Sequence, residues 1–153
     1  MKDLNQLLLN FKYKQNFNYD DYYVSKSNFY AFQMIEKWPK WEKNILNIYG
    51  EKFSGKTHLA NIFLTKNKGI KVNENEINDD LFKKFKLHEN IVIDDYKNIS
   101  DEKLMYTLFN LVDQDNKYLI IISLDPINNN NFKLKDLDSR SKNCLFAKIE
   151  NPD

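Results

Sequence analysis

The chain has 153 residues, a net charge of +1, and 29% charged against 42% hydrophobic residues. That length suits one domain with a real core, and the balance excludes a disordered chain and argues against a broad nucleic-acid or membrane-binding patch. No apolar run approaches the roughly 18 residues of a membrane span and the N-terminus lacks a secretory h-region, so the sequence predicts a cytoplasmic protein.

Residues 1–20 carry Gln6-Leu7-Leu8-Leu9-Asn10-Phe11 followed by a polar linker without a clear period. The short apolar peptide reads equally as a tethered docking motif or as an edge strand or strap across the domain. Ser27 or Asn28 is placed to cap a helix running to about Trp38, with Phe29, Phe32, Ile35 and Met34 on its apolar side and Pro39 stopping it. Trp38 and Trp41 fit packing residues better than a stacking platform, because an apolar stripe at helical spacing is ordinarily a buried face.

Next comes Gly50-Glu51-Lys52-Phe53-Ser54-Gly55-Lys56-Thr57, which fits the phosphate-binding pattern G-x-x-x-x-G-K-[ST]. The apolar run Ile45–Tyr49 leads in as a strand, and Lys56–Leu64 leads out as a helix, the context that motif requires. Glycines let the backbone curl so that successive N–H groups converge on a phosphate, and the helix N-terminus adds partial positive charge. Two of the chain's three glycines occupy the two glycine positions of the motif. Lys56 is expected to reach the β- and γ-phosphates and the Thr57 hydroxyl to ligate Mg²⁺.

Downstream, Gly69–Val72 reads as a short strand, the acidic, Asn-rich Asn73–Asp80 follows, and the segment through Leu81, Phe82 and Phe85 reads as a helix. Ile91-Val92-Ile93-Asp94-Asp95 is a buried strand ending in two carboxylates. Asp101–Asp115 is an amphipathic helix with Leu104, Leu108, Leu111 and Val112 on one side. Tyr118–Ser123 is the most apolar strand, a short helix through Leu134–Leu137 follows, and Cys144–Ile149 makes the last strand. Strands alternating with helices predict an α/β fold with a parallel sheet covered on both faces. Cys144 is the single cysteine, unable to form an internal disulfide and expected in the core, which suits a reducing compartment.

In phosphate-loop proteins the metal is held by the loop Ser/Thr and by a carboxylate ending another apolar strand. Asp94 has that position about 40 residues downstream of the loop, and Asp95 is placed to orient an attacking water. An Asp there reaches less far than a Glu, so any intrinsic hydrolysis is expected to be slow. Ser123 and Asp125 end the next strand, where a polar side chain can sense a γ-phosphate or the attacking water; a plain strand-end turn before Pro126 is the alternative. Arg140 is the only arginine in the chain. It reads equally as a solvated charge or as a group completing the site of a neighbouring subunit, in a homo-oligomer, or of a partner, since a guanidinium grips phosphate bidentately. His58 and His88 lack a Cys/His cluster and read as structural rather than metal-binding.

Taken together, Tyr23-Val24-Ser25-Lys26-Ser27-Asn28, Trp38-Pro39-Lys40-Trp41, the phosphate loop running into His58-Leu59, Ile93-Asp94-Asp95 and Asp138-Ser139-Arg140 resemble the DnaA branch of the AAA+ ATPases. Gln6-Leu7-Leu8-Leu9 with Phe11 resembles the sliding-clamp-binding peptide that opens the Hda-type regulatory inactivators of DnaA. The resemblance implies a three-layer P-loop NTPase fold of AAA+ type, with a five-stranded parallel sheet of order 5-1-4-3-2. Residues 1–20 would be the clamp-binding peptide and linker, and 21–153 the nucleotide-binding core. The sequence stops at Asn151-Pro152-Asp153, where the family's small helical lid begins, so the lid is expected to be absent; either the sequence is truncated or nucleotide is held more loosely.

Function follows from the same resemblance. ADP or ATP with Mg²⁺ would be bound by Gly50, Ser54, Gly55, Lys56, Thr57 and His58, with Val24 and Tyr23 near the adenine and Thr57 and Asp94 at the metal. Gln6, Leu7, Leu9 and Phe11 would dock on the DNA polymerase III sliding clamp (its beta subunit). Arg140 would be presented to ATP held by DnaA, stimulating hydrolysis there and preventing re-initiation, without strong direct DNA binding by this chain. Two other classes stay in view: a small P-loop kinase or other phosphotransferase, which the single arginine disfavours, and a non-catalytic DnaA-related nucleotide-binding adaptor.

Overall fold

The computed structural model describes residues 24–52 and 54–150. Its centre is a parallel sheet built from the apolar runs: β1 (Ile45–Tyr49), β2 (Gly69–Asn73), β3 (Asn90–Tyr96), β4 (Tyr118–Ser123) and β5 (Leu145–Lys148). The strands lie side by side in the order β2-β3-β4-β1-β5, the expected order read from the other edge. Helices α1 (Phe29–Lys37), α2 (Lys56–Lys66), α3 (Asp79–Phe85), α4 (Glu102–Gln114) and α5 (Lys135–Ser141) cover both faces. The architecture is the expected α/β, three-layer arrangement, a five-stranded parallel sheet with helices on both faces.

Alternation along each strand divides the core in two. Leu46, Ile48, Ile120 and Ile122 face α1 and α2, meeting Phe32, Ile35, Leu59 and Phe63. Ile45, Ile91, Ile93, Leu119 and Ile121 face the other way, toward Phe82, Phe85, Leu108, Phe109 and Leu137. Because the inner strands are buried on both sides, they read as continuous apolar runs rather than as alternating ones. Asn47, fully buried in the middle of β1, interrupts such a run.

Helix boundaries follow from local chemistry. The backbone carbonyl of Met34, in the last turn of α1 where no intrahelical N–H is left to reach it, accepts a 2.8 Å hydrogen bond from the Trp41 indole. Chain reversal at Pro39 thereby brings Trp38 and Trp41 against Phe63 and Tyr118, with ring centroids 5.4–6.2 Å apart. Both tryptophans are packing residues, as their spacing predicts. Asp101 caps α4 by accepting from Lys103 N at 2.9 Å, and Asn78 caps α3 from Leu81 N at 2.9 Å. The apolar side of α4 is wider than its leucines suggest: Met105 and Phe109 are buried in it, while Leu104 is only half-buried.

Two departures from the expected boundaries are small. The last strand starts at Leu145, leaving Cys144 half-buried just before it. On β3 the pairing with β4 slips by one residue between Ile93 and Tyr96, where Asp94 and Asp95 make a bulge.

Candidate functional site

All five strands run parallel, so their carboxyl ends share one edge of the sheet, where ligand crevices form in open α/β folds. The loop after β1 leaves the sheet at Gly50, whose N–H donates to the Ser123 carbonyl at 3.2 Å. Gly50 (φ 153°) lies so close to the backbone just past β5 that a Cβ would collide with the Ile149 carbonyl oxygen. Gly55 (φ 96°) then turns the backbone into α2 in a left-handed conformation that suits glycine. The two glycines of the motif thus do different work: one permits close approach to β5, the other starts the helix.

From the first turn of α2, Lys56 folds back over the loop. Its Nζ donates to the Gly50 carbonyl and, at 2.7 Å, to the Glu51 carbonyl. Burial pushes the Lys56 pKa below its ordinary value, and the carboxylates of Asp95, Asp94 and Glu51 pull in the opposite direction. One residue on, Thr57 Oγ1 donates to the Asp94 carboxylate, 3.1 Å from Oδ1 and 3.3 Å from Oδ2. Ser54 Oγ is buried with no hydrogen-bond partner among the described residues, a polar atom inside the curl of the loop.

These groups open onto two clefts, of about 390 Å³ and about 860 Å³, that share Leu124 in their walls. The larger one gathers Ser54, Gly55, Lys56, Thr57, His58, Asp94, Asp95 and Ser123, together with Lys52, Asn73 and Lys97. Asp95 lies in the left-handed region (φ 58°) and forms an exposed ion pair with Lys97 at 3.2 Å. The hydroxyl of Ser123 donates to the Asp125 carbonyl at 2.7 Å and accepts from Asn47 Nδ2 at 3.0 Å. Sensing a phosphate through that hydroxyl would require one of these bonds to be exchanged.

Other predicted site residues stand apart. Gly50 and Asp125 line the smaller cleft with Glu51, Lys148 and Glu150. Val24 is fully buried in the core beside α1 and lines neither cleft. Arg140 sits at the opposite end of the sheet, among Lys43, Asn44 and Ile45 at the start of β1. There it donates to Asn110 Oδ1, lies 3.7 Å from Asp113 and 3.9 Å from Asp136, and stacks its guanidinium 5.7 Å from the Tyr106 ring. Its side chain is half-buried there, away from this chain's own phosphate loop. Tyr23, Gln6, Leu7, Leu9 and Phe11 lie outside the described residues, as does the whole 1–20 segment.

Sequence reasoning passed over Asn47. Its Oδ1 accepts from Ile127 N at 2.9 Å and its Nδ2 donates to Ile121 O and Ser123 Oγ, tying the end of β4 and the following turn to β1. A polar residue in an otherwise apolar strand was the signal.

The residues present fit a Mg²⁺-nucleotide. Mg²⁺ takes one or two protein oxygens and completes its shell with water and phosphate, so a hydroxyl and a carboxylate in contact beside a phosphate loop suffice. Among the described residues no group of three His, Cys, Asp or Glu side chains could hold a metal by itself. No described helix is long and apolar enough to cross a membrane.

No protein-family model matches the chain, and no curated protein matches it either. Solved structures do. A DNA replication initiation factor superposes with a TM-score of 0.72 at 18% identity, over 86% of this chain and 48% of that one. AMPPCP-bound DnaA from Aquifex aeolicus gives 0.71 at 20% identity, over 86% and 49%. Domain III of DnaA from Thermotoga maritima gives 0.65 at 23% identity, over 90% and 68%. The chain therefore shares the fold of DnaA domain III, and it spans about half the length of the first two of these proteins.

Proposed function

We propose that this chain is a cytoplasmic, Hda-like regulator of replication initiation. In this reading it binds ADP or ATP with Mg²⁺ at its own phosphate loop and acts through Arg140 on nucleotide held by DnaA. The observation that carries the nucleotide part is the Thr57–Asp94 hydrogen bond beneath Lys56. The loop N–H groups and Lys56 bind the phosphates, and Thr57 and Asp94 hold the metal, which when bound neutralises charge on the phosphate oxygens. Lys56, now spent on the carbonyls of Gly50 and Glu51, would exchange them for phosphate oxygens. The similarity in fold to AMPPCP-bound DnaA supports adenine as the base.

With Asp95 short, exposed and ion-paired to Lys97, the chain is poorly equipped to activate water, so its own ATPase is weak or nil. Arg140 lies half-buried at the far end of the sheet, away from this chain's own loop, which suits action in trans on a partner's nucleotide, where an arginine finger is worth about 10³–10⁵ in rate. Gln6, Leu7, Leu9 and Phe11 dock the protein on the sliding clamp.

The test is hydrolysis of DnaA-bound ATP in the presence of clamp loaded on DNA. Wild type accelerates it; Arg140→Ala and the Gln6→Ala/Leu7→Ala double variant do not. A second reading, a non-catalytic adaptor, draws on the way Asp113, Asp136 and Asn110 already engage Arg140. Arg140→Ala suppressing DnaA·ATP as well as wild type would favour it.

A further inference from the structure

Glu74 follows β2 in the acidic, Asn-rich stretch 73–80, yet it is 3% exposed. It opens a 3-10 turn (Glu74–Glu76) whose first residues are held by a capping box, with Asn73 N donating to Glu76 Oε1 at 2.9 Å. The Glu74 carboxylate accepts four hydrogen bonds from a single loop on the neighbouring strand. Lys97 N donates to Oε1 at 2.7 Å; Ile99 N and Ser100 N donate to Oε2 at 2.8 Å each, and the Ser100 hydroxyl does so at 2.7 Å.

That loop begins where the Asp94–Asp95 bulge ends and finishes at Asp101, the cap of α4. The bulge is held from both sides. Asn73, covalently next to Glu74, is the register partner of Asp94, and Lys97, which Glu74 grips, is two residues past Asp95. A carboxylate receiving several N–H groups makes short, charge-assisted bonds and fixes their direction. Asp95 with φ 58° holds a backbone conformation that L residues seldom adopt, which needs such surrounding support.

We infer that Glu74 is a positioning residue for the metal site, setting Asp94 opposite Thr57 by clamping the 97–100 loop. It touches neither nucleotide nor metal. Outer groups that orient a metal ligand typically change metal affinity by about 10–100-fold when lost. The inference rests on the reading of Thr57 and Asp94 as the Mg²⁺ ligands.

The test is calorimetric titration of a non-hydrolysable ATP analogue into the full chain, once with MgCl₂ and once with EDTA. Wild type should bind more tightly with Mg²⁺, and Asp94→Asn should abolish that gain; if wild type shows no gain, the metal site itself falls and this inference with it. Given the gain, Glu74→Gln should reduce it about tenfold while Mg²⁺-free binding stays at the wild-type value. Asp101→Ala, which weakens the cap at the far end of the same loop, should keep it in full. Retention of the whole gain in Glu74→Gln overturns the inference, as does an equal loss with and without Mg²⁺, the mark of a purely structural role. If Glu74→Gln does not fold, Ser100→Ala removes one of the four bonds and should cut the gain about threefold; an unchanged gain overturns the inference equally.

Discussion

The Thr57 hydroxyl stands 3.1 Å from the Asp94 carboxylate although 37 residues separate them in sequence. One comes from the first turn of α2 and the other from the end of β3, two strands away from β1 across β4. Sheet order is what makes them meet. The hydroxyl of Thr57 and the carboxylate of Asp94 are the ligands the proposed metal requires, so Thr57→Val and Asp94→Asn should each lower Mg²⁺-dependent nucleotide affinity at least about tenfold. Affinity measured in EDTA should change little. Equal loss under both conditions would mean that these residues shape the pocket rather than hold a cation.

Asn47 satisfies three polar groups from inside a strand that is otherwise apolar. Asn47→Leu keeps roughly the volume but leaves the Ile127 N–H without its acceptor. An unpaired buried donor costs about 1–3 kcal/mol, so urea unfolding should show a loss of that size. An unchanged midpoint would mean that the turn after β4 finds another partner at no cost.

Gly50 tolerates no side chain, because a Cβ would strike the Ile149 backbone oxygen and φ is 153°. Gly50→Ala should destabilise the fold by about 1–3 kcal/mol even without nucleotide. Thermal unfolding of the two proteins without ligand decides it, and equal melting temperatures would contradict the close approach of the loop to β5.

Cys144 packs beside the second core cluster, and its thiol donates toward the Arg140 carbonyl at 3.4 Å. Burial first, then Asp113, pushes its pKa from 9.0 up to about 12, with Lys43 opposing. At pH 8 that lowers the thiolate fraction about 1000-fold relative to an unperturbed thiol. Alkylation by an exposed-thiol reagent should therefore be slow in the native protein and fast in denaturant. The sign for stability follows: the unfolded thiol loses its proton near 9 while the folded one keeps it, so stability falls as pH rises from about 9 toward 12. Fast native labelling, or no difference between Cys144→Ala and wild type in that pH window, would refute this.

Much of this was legible in sequence because the inner strands are buried on both faces and their apolar runs stand out. The phosphate loop announced itself through its glycines, and Asp94 through ending an apolar run. What the sequence hid has physical reasons. Ser123 and Asp125 look equivalent at a strand end, but the chain leaves the sheet between them, and Asp125 turns into the smaller cleft. Period-two reasoning stops applying where the pairing stops. Val24, expected near a base, is consumed by the core beside α1. Glu74 sits among Asn and Glu residues that resemble solvated loop, and only the folded return of residues 97–100 shows why a carboxylate is needed there. Arg140 was readable as notable for being the sole arginine, though not its placement at the far end of the sheet.

The most direct measurement is the melting temperature of wild type and Lys56→Ala with and without Mg·ADP. With nucleotide near 100 times its dissociation constant, wild type should gain about 2.7 kcal/mol of stability, and Lys56→Ala, lacking the ammonium proposed to bind phosphate, should gain far less. Equal gains in both proteins, or none in wild type, would contradict the assignment of a nucleotide to this loop.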